Sequence, residues 1–353
     1  MSSADLRQRT NYAAAAEAAA DDIQDSADAA LNLPTIFDPV SCTRKGLCPV
    51  TQIRHQEAPL ESHSLYFEQH GSGPEKVIFI MGLNSSSFSW APQVQHFGRD
   101  SRYTVLVFDN RGVGNSDTPR GPYSTSGMAE DVIVLLDYLG WTDERDIHVV
   151  GSSMGGMIAQ ELATRIPERI ITLSLVVTTA GGMPWSNFAP LKGTVSLARL
   201  LFISDIEQKI PILLEMVFPP AWLDQDADDD PEGRTNREIQ AESYRLRLRT
   251  TRPQKPLGAL SQMWAGLGHR VTPDRLASIS RSIPKVVILT GDEDNLVDPS
   301  NSQYLGKHMK EAELINWEGT GHGLQLQWSK RFNALLERVF EEGRQRVAKH
   351  QSA

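Results

Sequence analysis

The stretch that decides the fold is Ile147-His-Val-Val-Gly-Ser-Ser-Met-Gly-Gly156, which leads into a helical pattern over 157–165. The apolar start predicts a buried strand, and the motif Gly151-x-Ser153-x-Gly155 predicts a sharp turn from that strand into a helix. Such a turn needs small residues on both sides and exposes the serine hydroxyl at the carboxyl edge of a sheet. The helix that follows points free amide groups and a positive partial charge at the same place. Ser153 is therefore a candidate nucleophile.

Outward from this motif, apolar runs rich in β-branched residues alternate with helical patterns. The predicted strands are 65–69, 76–81, 103–108, 147–150, 170–177, 285–290 and 313–317. The predicted helices between and after them are 127–139, 154–165, 301–308 and 328–344. Strands that are apolar along their whole length and alternate with helices are typical of buried parallel sheets. We predict an α/β fold with a mostly parallel central sheet, helices on both faces and an inserted helical cap.

The alternation is interrupted once, which sets the predicted domain organisation. Residues 183–270 have helical stretches at 195–203 and 212–218 but no clear strand, and they are too long for a connecting loop. We predict that 183–270 is a helical cap, that 63–182 and 271–345 form the core, that 1–62 is a mobile N-terminal tail, and that 346–353 is a C-terminal tail. Aromatic cap residues are predicted either to line a substrate pocket or to form the core of the cap: Trp185, Phe188, Phe202, Trp222 and Trp264.

A serine hydroxyl is a weak nucleophile at neutral pH, so a base must remove its proton. His322 lies in the glycine loop 319–323 directly after the last predicted strand, at the same sheet edge as Ser153. Three other histidines have weaker claims, because of their positions in predicted elements: His148 is inside a strand, His308 ends a helix, and His269 follows the predicted cap. His322 is the predicted base.

An acid must orient that base. The strand 285–290 ends in Gly-Asp-Glu-Asp-Asn-Leu-Val-Asp, which offers four carboxylates. Asp298 precedes Pro299 and is expected to cap the next helix. Asp294 lies at the tip of the loop, within reach of a histidine on the neighbouring loop, and Asp292 is the second choice. The predicted triad is Ser153, Asp294 and His322.

Attack on a carbonyl creates an oxyanion, which preorganised backbone N–H groups stabilise. One predicted donor is Met154, the first residue after the nucleophile. The second is Leu83 in Gly82-Leu83-Asn84, where the chain turns after the strand 76–81.

Five landmarks in this order resemble the α/β-hydrolase family over about residues 65–340. They are Met-Gly-Leu-Asn at 81–84, Asp-Asn-Arg-Gly-Val-Gly-Asn-Ser at 109–116, 151–155, 291–294 and Gly-His-Gly at 321–323. The resemblance implies the same triad and is nearest to the capped branch that contains esterases, lactonases, cofactor-free perhydrolases and epoxide hydrolases. Met81 departs from the histidine that many members carry before the glycine. Ser153 argues against the members that use an aspartate nucleophile. Asp109 and Arg111 are predicted to form a buried ion pair that shapes their loop.

Composition limits the other possibilities. The formal charge of −9 argues against a nucleic-acid partner. The longest apolar runs fall far short of a membrane span. Cys42 and Cys48 are too few for a disulfide framework and have no histidine at zinc-finger spacing, so we predict free thiols, no metal site and a cytoplasmic location.

The predicted function is a serine hydrolase that cleaves a carboxylic ester or related acyl bond through an acyl-enzyme on Ser153. The expected partner is a small-molecule acyl substrate, and the chemistry needs no cofactor. Two alternatives stay open: an acyltransferase or perhydrolase that uses the same triad, and a non-catalytic ligand receptor on the same fold. The sequence does not predict the oligomeric state.

Overall fold

A single eight-stranded sheet runs through the protein. The structure is a computed structural model that describes residues 33–54, 61–182, 189–203, 205–228 and 230–351. The strands are β1 (Cys42–Val50), β2 (His63–His70), β3 (Glu75–Ile80), β4 (Tyr103–Phe108), β5 (Ile147–Ser152), β6 (Ile170–Val176), β7 (Lys285–Gly291) and β8 (Glu313–Trp317). Their order is β1-β2-β4-β3-β5-β6-β7-β8. Strands β3 to β8 are parallel to one another, and β2 pairs antiparallel with both β1 and β4. The predicted fold class is confirmed.

Helices cover both faces of this sheet. The helices outside the β6–β7 connection are α1 (Ala91–Phe97), α2 (Thr125–Tyr138), α3 (Met154–Arg165), α9 (Pro273–Ser282), α10 (Ser300–His308), α11 (Leu324–Gln327) and α12 (Ser329–Gln351), and a 3₁₀ helix spans Ser87–Trp90. Side chains of β3 alternate between two apolar clusters, with Ile78 and Ile80 in one and Val77 and Phe79 in the other. This alternation is expected of a strand buried on both faces.

The connection between β6 and β7 is helical. It contains α4 (Leu191–Phe202), α5 (Ile206–Val217), α6 (Pro220–Leu223), α7 (Asn236–Thr250) and α8 (Pro256–Leu267). Some of these helices share a small apolar cluster that includes Ile210, Leu214 and Trp222. Gly181 and Arg270 form an isolated antiparallel bridge, so the chain leaves and re-enters the core at neighbouring positions. These observations agree with a cap at 183–270, whose exact bounds remain a prediction.

Both predicted tails are wrong in part. Residues 42–50 form β1 at the sheet edge, inside the predicted tail 1–62. This strand carries charges, a glycine and Pro49, and only Cys48 and Val50 are buried, so it lacks the apolar alternation that predicts strands. At the other end, α12 continues to Gln351 rather than stopping before 346. Within the described ranges, none of the helices has the length and apolar character needed to cross a bilayer.

Candidate active site

Ser153 occupies the turn between β5 and α3. Its backbone has φ 56° and ψ −123°, a conformation that few non-glycine residues adopt. A Cβ on Gly155 would lie 2.0 Å from the carbonyl oxygen of Ile80, and one on Gly151 would lie 2.4 Å from that of Gly155. The predicted strand, turn and helix are therefore all present, and the close backbone approach accounts for both glycines.

Asp294 and His322 are in direct contact. His322 Nδ1 lies 2.8 Å from Asp294 Oδ2, and the Asp294 side chain is fully buried. The other carboxylate oxygen, Oδ1, accepts from the backbone N–H groups of Leu296 and Val297 at 2.8 and 2.9 Å. Since the carboxylate accepts at both oxygens, Nδ1 is the protonated ring nitrogen of a neutral His322, and Nε2 is left as an acceptor.

The sheet brings Ser153 to the same edge as this pair. Ser152 lies opposite Val176 on β6, and Val176 lies opposite Leu289 on β7, so β5 and β7 end at similar heights. Ser153 and His322 are both partly accessible. Within the described part of the chain, Ser153 Oγ makes no hydrogen bond to His322. Such bonds are often long or absent without substrate, so this arrangement is compatible with proton transfer between the two side chains.

The loop that carries His322 is held from two sides. The Gln327 side chain accepts from Gly321 N–H at 2.9 Å and donates to the Gly319 carbonyl at 2.8 Å. From the inserted helices, the Val217 carbonyl at the end of α5 accepts from Gly323 N–H at 3.0 Å. A Cβ on Gly321 would lie 2.5 Å from the same carbonyl oxygen. The glycines on either side of the histidine therefore allow the inserted helices to pack directly on this loop.

Two backbone amides beside Ser153 have no hydrogen-bond acceptor among the described residues: those of Leu83 and Met154. Met154 begins α3, where intrahelical acceptors do not exist. Leu83 follows Gly82, and a Cβ on Gly82 would lie 2.9 Å from Ser153 Cβ. Neither predicted oxyanion donor is engaged with another described residue, and their role stays a prediction.

Sequence reasoning missed the side chains that support the Leu83 loop. Asn110 donates to the Met81 carbonyl at 2.9 Å, which ties the loop to the end of β4 without the histidine that Met81 replaces. Gln262 on α8 is fully buried; it accepts from Asn84 N–H at 2.9 Å and donates to the Arg111 carbonyl at 2.8 Å. An isolated glutamine in a helical segment carries no signal in the sequence that would reveal this bridge.

Asp109 and Arg111 do not pair with each other, so that prediction is wrong. Asp109 accepts from the backbone N–H groups of Ser87 and Asn115 at 2.7 Å each. Arg111 donates to Asp131, with Nε 2.6 Å from Oδ2. Burial raises the pKa of Asp109. Burial also acts to raise the pKa of Asp131, but the charge of Arg111 and the hydrogen bonds from Arg111 and His63 together outweigh it and lower this pKa. Both carboxyls shape the loop after β4.

The other residues considered in the sequence take no part in the Asp294–His322 contact. Asp292 is exposed and accepts from Thr320 N–H at 3.2 Å. His148 is buried in β5 beside Thr172 and Glu75, and burial lowers the pKa of this imidazole.

Trp222 packs in the small apolar cluster of the inserted helices, and its ring centroid lies 5.1 Å from that of Phe218.

Four further aromatic residues are predicted for the pocket or the core of the cap. Trp264 on α8 is 64% exposed. Trp185 and Phe188 lie outside the described residues, as does the side chain of Phe202. A role for the aromatic cap residues in substrate binding stays a prediction.

Comparisons with known proteins agree with this architecture. A family model described as the alpha/beta hydrolase fold matches residues 76–327. A protein of Caulobacter segnis that carries the name of the carbamate hydrolase RutD is 28% identical over 282 residues, which cover 78% of this chain and 96% of that protein. The rhodomycin D methylesterase DnrP of Streptomyces peucetius is 27% identical over 300 residues, which cover 79% of this chain and 93% of that protein.

A solved structure has the same fold. That of a thermophilic esterase from Thermogutta terrifontis aligns with a TM-score of 0.63 at 19% identity, over 85% of this chain and 99% of that one. Because the family model covers well over half of the sequence, the chain belongs to the α/β-hydrolase family, and the prediction that it is an enzyme of this family is confirmed.

Proposed function

We propose that the protein is a serine hydrolase that cleaves a carboxylic ester or a related acyl bond. The observation that carries the proposal is the contact between Asp294 and His322 at the sheet edge where Ser153 sits in its strained turn. Hydrolysis of an ester or a carbamate passes through attack on a carbonyl carbon. The names of the two relatives, a carbamate hydrolase and a methylesterase, support this class of reaction.

In the proposed mechanism, Ser153 Oγ attacks the carbonyl carbon while His322 Nε2 takes the hydroxyl proton. Asp294 accepts the Nδ1–H of the ring, fixes its orientation and stabilises the positive charge that forms. The N–H groups of Leu83 and Met154 receive the oxyanion. His322 then gives its proton to the leaving alcohol or amine, which departs and leaves an acyl group on Ser153.

Water completes the cycle. His322 removes a proton from a water molecule that attacks the acyl-enzyme, and the acid is released as Ser153 recovers its proton. An alcohol, amine or peroxide in place of water would give acyl transfer or perhydrolysis with the same residues. The unengaged amides of Leu83 and Met154 favour an enzyme over a ligand receptor, which has no need of an oxyanion site.

The test is a panel of p-nitrophenyl esters with acyl chains of graded length, assayed with and without added alcohol, amine or peroxide. We expect a burst of nitrophenol followed by turnover, and release of free acid as the main product in water. Preferential appearance of the transferred acyl product at low acceptor concentration would identify a transferase instead. Absence of nitrophenol release from any ester by folded protein would contradict the proposal.

A further inference from the structure

A second cluster of reactive side chains lies at the antiparallel edge of the sheet, away from Ser153. Cys42 on β1 stands directly opposite His70 on β2 in the strand register. Glu68 lies two residues before His70 on the same strand, and side chains two apart point to the same face. One atom from each of these three residues, a thiol sulfur, an imidazole nitrogen and a carboxylate oxygen, lies within 4.8 Å of the other two.

The hydrogen bonds of His70 fix which of its nitrogens faces the cluster. Ser41 Oγ lies 2.9 Å from His70 Nδ1 and donates its only proton to the Asp38 carbonyl, also at 2.9 Å. Ser41 must therefore accept from Nδ1–H, so Nε2 of the neutral ring carries a lone pair. The His70 side chain is fully buried, and Nε2 has no hydrogen-bond partner among the described residues.

The neighbour of this nitrogen is a carboxylate oxygen. Glu68 Oε2 lies 3.5 Å from His70 Nε2 without hydrogen-bond geometry, and it accepts from the Cys42 thiol at 4.0 Å. The other oxygen of Glu68 accepts from the Tyr66 hydroxyl at 2.6 Å. Glu68 is fully buried, and no lysine or arginine in the described part of the chain forms an ion pair with it. A buried carboxylate oxygen and an unpartnered imidazole nitrogen therefore face each other, and a bound cation would give both a partner.

We propose that Cys42, Glu68 and His70 form a binding site for a zinc-type divalent cation. Thiolate, imidazole and carboxylate are the ligands that Zn²⁺ takes in proteins, and tetrahedral bonds of about 2.0–2.3 Å separate such ligand atoms by about 3.3–3.6 Å. The His70–Glu68 distance of 3.5 Å fits this range, the Cys42–Glu68 distance is 4.0 Å, and Cys42 and His70 lie within 4.8 Å, so the Cys42 side chain must move inward to close the site. Cys42 is only partly buried, which leaves a fourth position for water.

The surrounding hydrogen bonds are those expected around such ligands. Ser41 orients the imidazole and Tyr66 orients the carboxylate, which is the role that outer partners play at metal sites. A thiol binds a metal as thiolate, so binding displaces the Cys42 proton from sulfur to solvent as the metal–sulfur bond forms.

Sequence spacing gave no sign of this site, because the ligands meet only through the pairing of β1 with β2. Strands β4 and β3 separate the cluster from β5, which carries the Ser153 turn. A cation bound here would crosslink β1 to β2. Its binding is independent of the proposed hydrolysis.

The test uses the full chain, treated with a chelator and then titrated with Co²⁺ and with Zn²⁺. Wild type is expected to bind one Co²⁺ with the charge-transfer absorption of a cobalt–thiolate bond, and Zn²⁺ is expected to displace it and raise the Tm. Cys42→Ser is expected to lose this absorption. Cys48→Ser, on the same strand, is the matched control and should keep it. Ser41→Ala should weaken the affinity by about 10- to 100-fold.

Circular dichroism establishes that each variant is folded before titration. Absence of the thiolate band in folded wild type would overturn the proposal. A band that survives in Cys42→Ser but disappears in Cys48→Ser would place the cation elsewhere and would also overturn it. An equal rise in the Tm of wild type and of Cys42→Ser on addition of Zn²⁺ would also overturn the proposal.

Discussion

The sheet and the helices inserted between β6 and β7 contribute to the candidate site in different ways. The sheet supplies the side chains proposed to react: Ser153 after β5, Asp294 after β7 and His322 after β8. The inserted helices supply contacts to the loops around them, through Gln262 on α8 and the carbonyl of Val217 on α5. Strands β3 to β7 are buried on both faces, whereas the described inserted helices have only a small apolar cluster of their own.

The two regions therefore differ in how firmly they fix the groups of the candidate site. The three side chains proposed to react follow the ends of strands, and the hydrogen-bond register of the sheet fixes the positions of those ends. Groups on the inserted helices act through loops that they touch. Substitutions at strand ends should therefore change the chemical step by large factors, and those in the inserted helices should change it by smaller ones.

The largest effect is expected at the acid. Asp294→Asn should lower kcat by about 10⁴-fold, because an amide in place of the carboxylate favours the wrong tautomer of His322. Asp292→Asn is the matched control: its side chain is exposed and can still accept from Thr320, so kcat should change by less than about threefold. Steady-state kinetics on a p-nitrophenyl ester measures both. If Asp292→Asn were the more damaging variant, the acid would be misassigned.

A smaller effect is expected from the inserted helices. Gln262→Leu removes the bond that fixes Asn84 next to Leu83, so kcat should fall by up to about 100-fold with little change in KM, as when an oxyanion donor is displaced. Gln254→Leu is the comparison variant, because Gln254 is only half-buried and donates to the Asn84 side chain rather than to its backbone. Equal losses in both variants, or a change confined to KM, would show that Gln262 does not position this loop.

The smallest expected effect concerns the junction of the two regions. His269 follows α8, is buried beside Thr125 of α2, and burial lowers its pKa to about 4 from the ordinary 6.5. As pH falls below 6.5 the unfolded chain takes up a proton that the folded chain does not, so the free energy of unfolding falls. This residue should contribute a loss of about 1 kcal/mol between about pH 7.5 and 5.5.

Urea unfolding of wild type and His269→Gln at both pH values isolates this contribution. The variant should lose less stability than wild type on acidification, whatever its stability at neutral pH. His308→Gln on α10 is the control and should keep the wild-type difference. If wild type and His269→Gln lost stability equally, the buried imidazole would not be the source of the pH dependence.

The comparison also explains what the sequence could predict. Strands β2 to β8 have strong apolar patterns, and their ends carry short motifs with a known geometry, so the sheet and the Asp294–His322 contact were predictable. Helix α7 has charged residues around much of its surface, and β1 is a charged edge strand, so both escaped detection. The pairing of Arg111 with Asp131 joins residues from separate elements, and no local pattern encodes such a partner.

The most direct test of the central claim is covalent labelling of the full chain with a fluorophosphonate, followed by intact-mass measurement. We expect one adduct on wild type and none on Ser153→Ala. The control variant Ser278→Ala, whose serine lies exposed on α9, should also carry one adduct. An adduct of equal yield on folded Ser153→Ala, or no adduct on folded wild type, would contradict the assignment of Ser153 as an activated nucleophile.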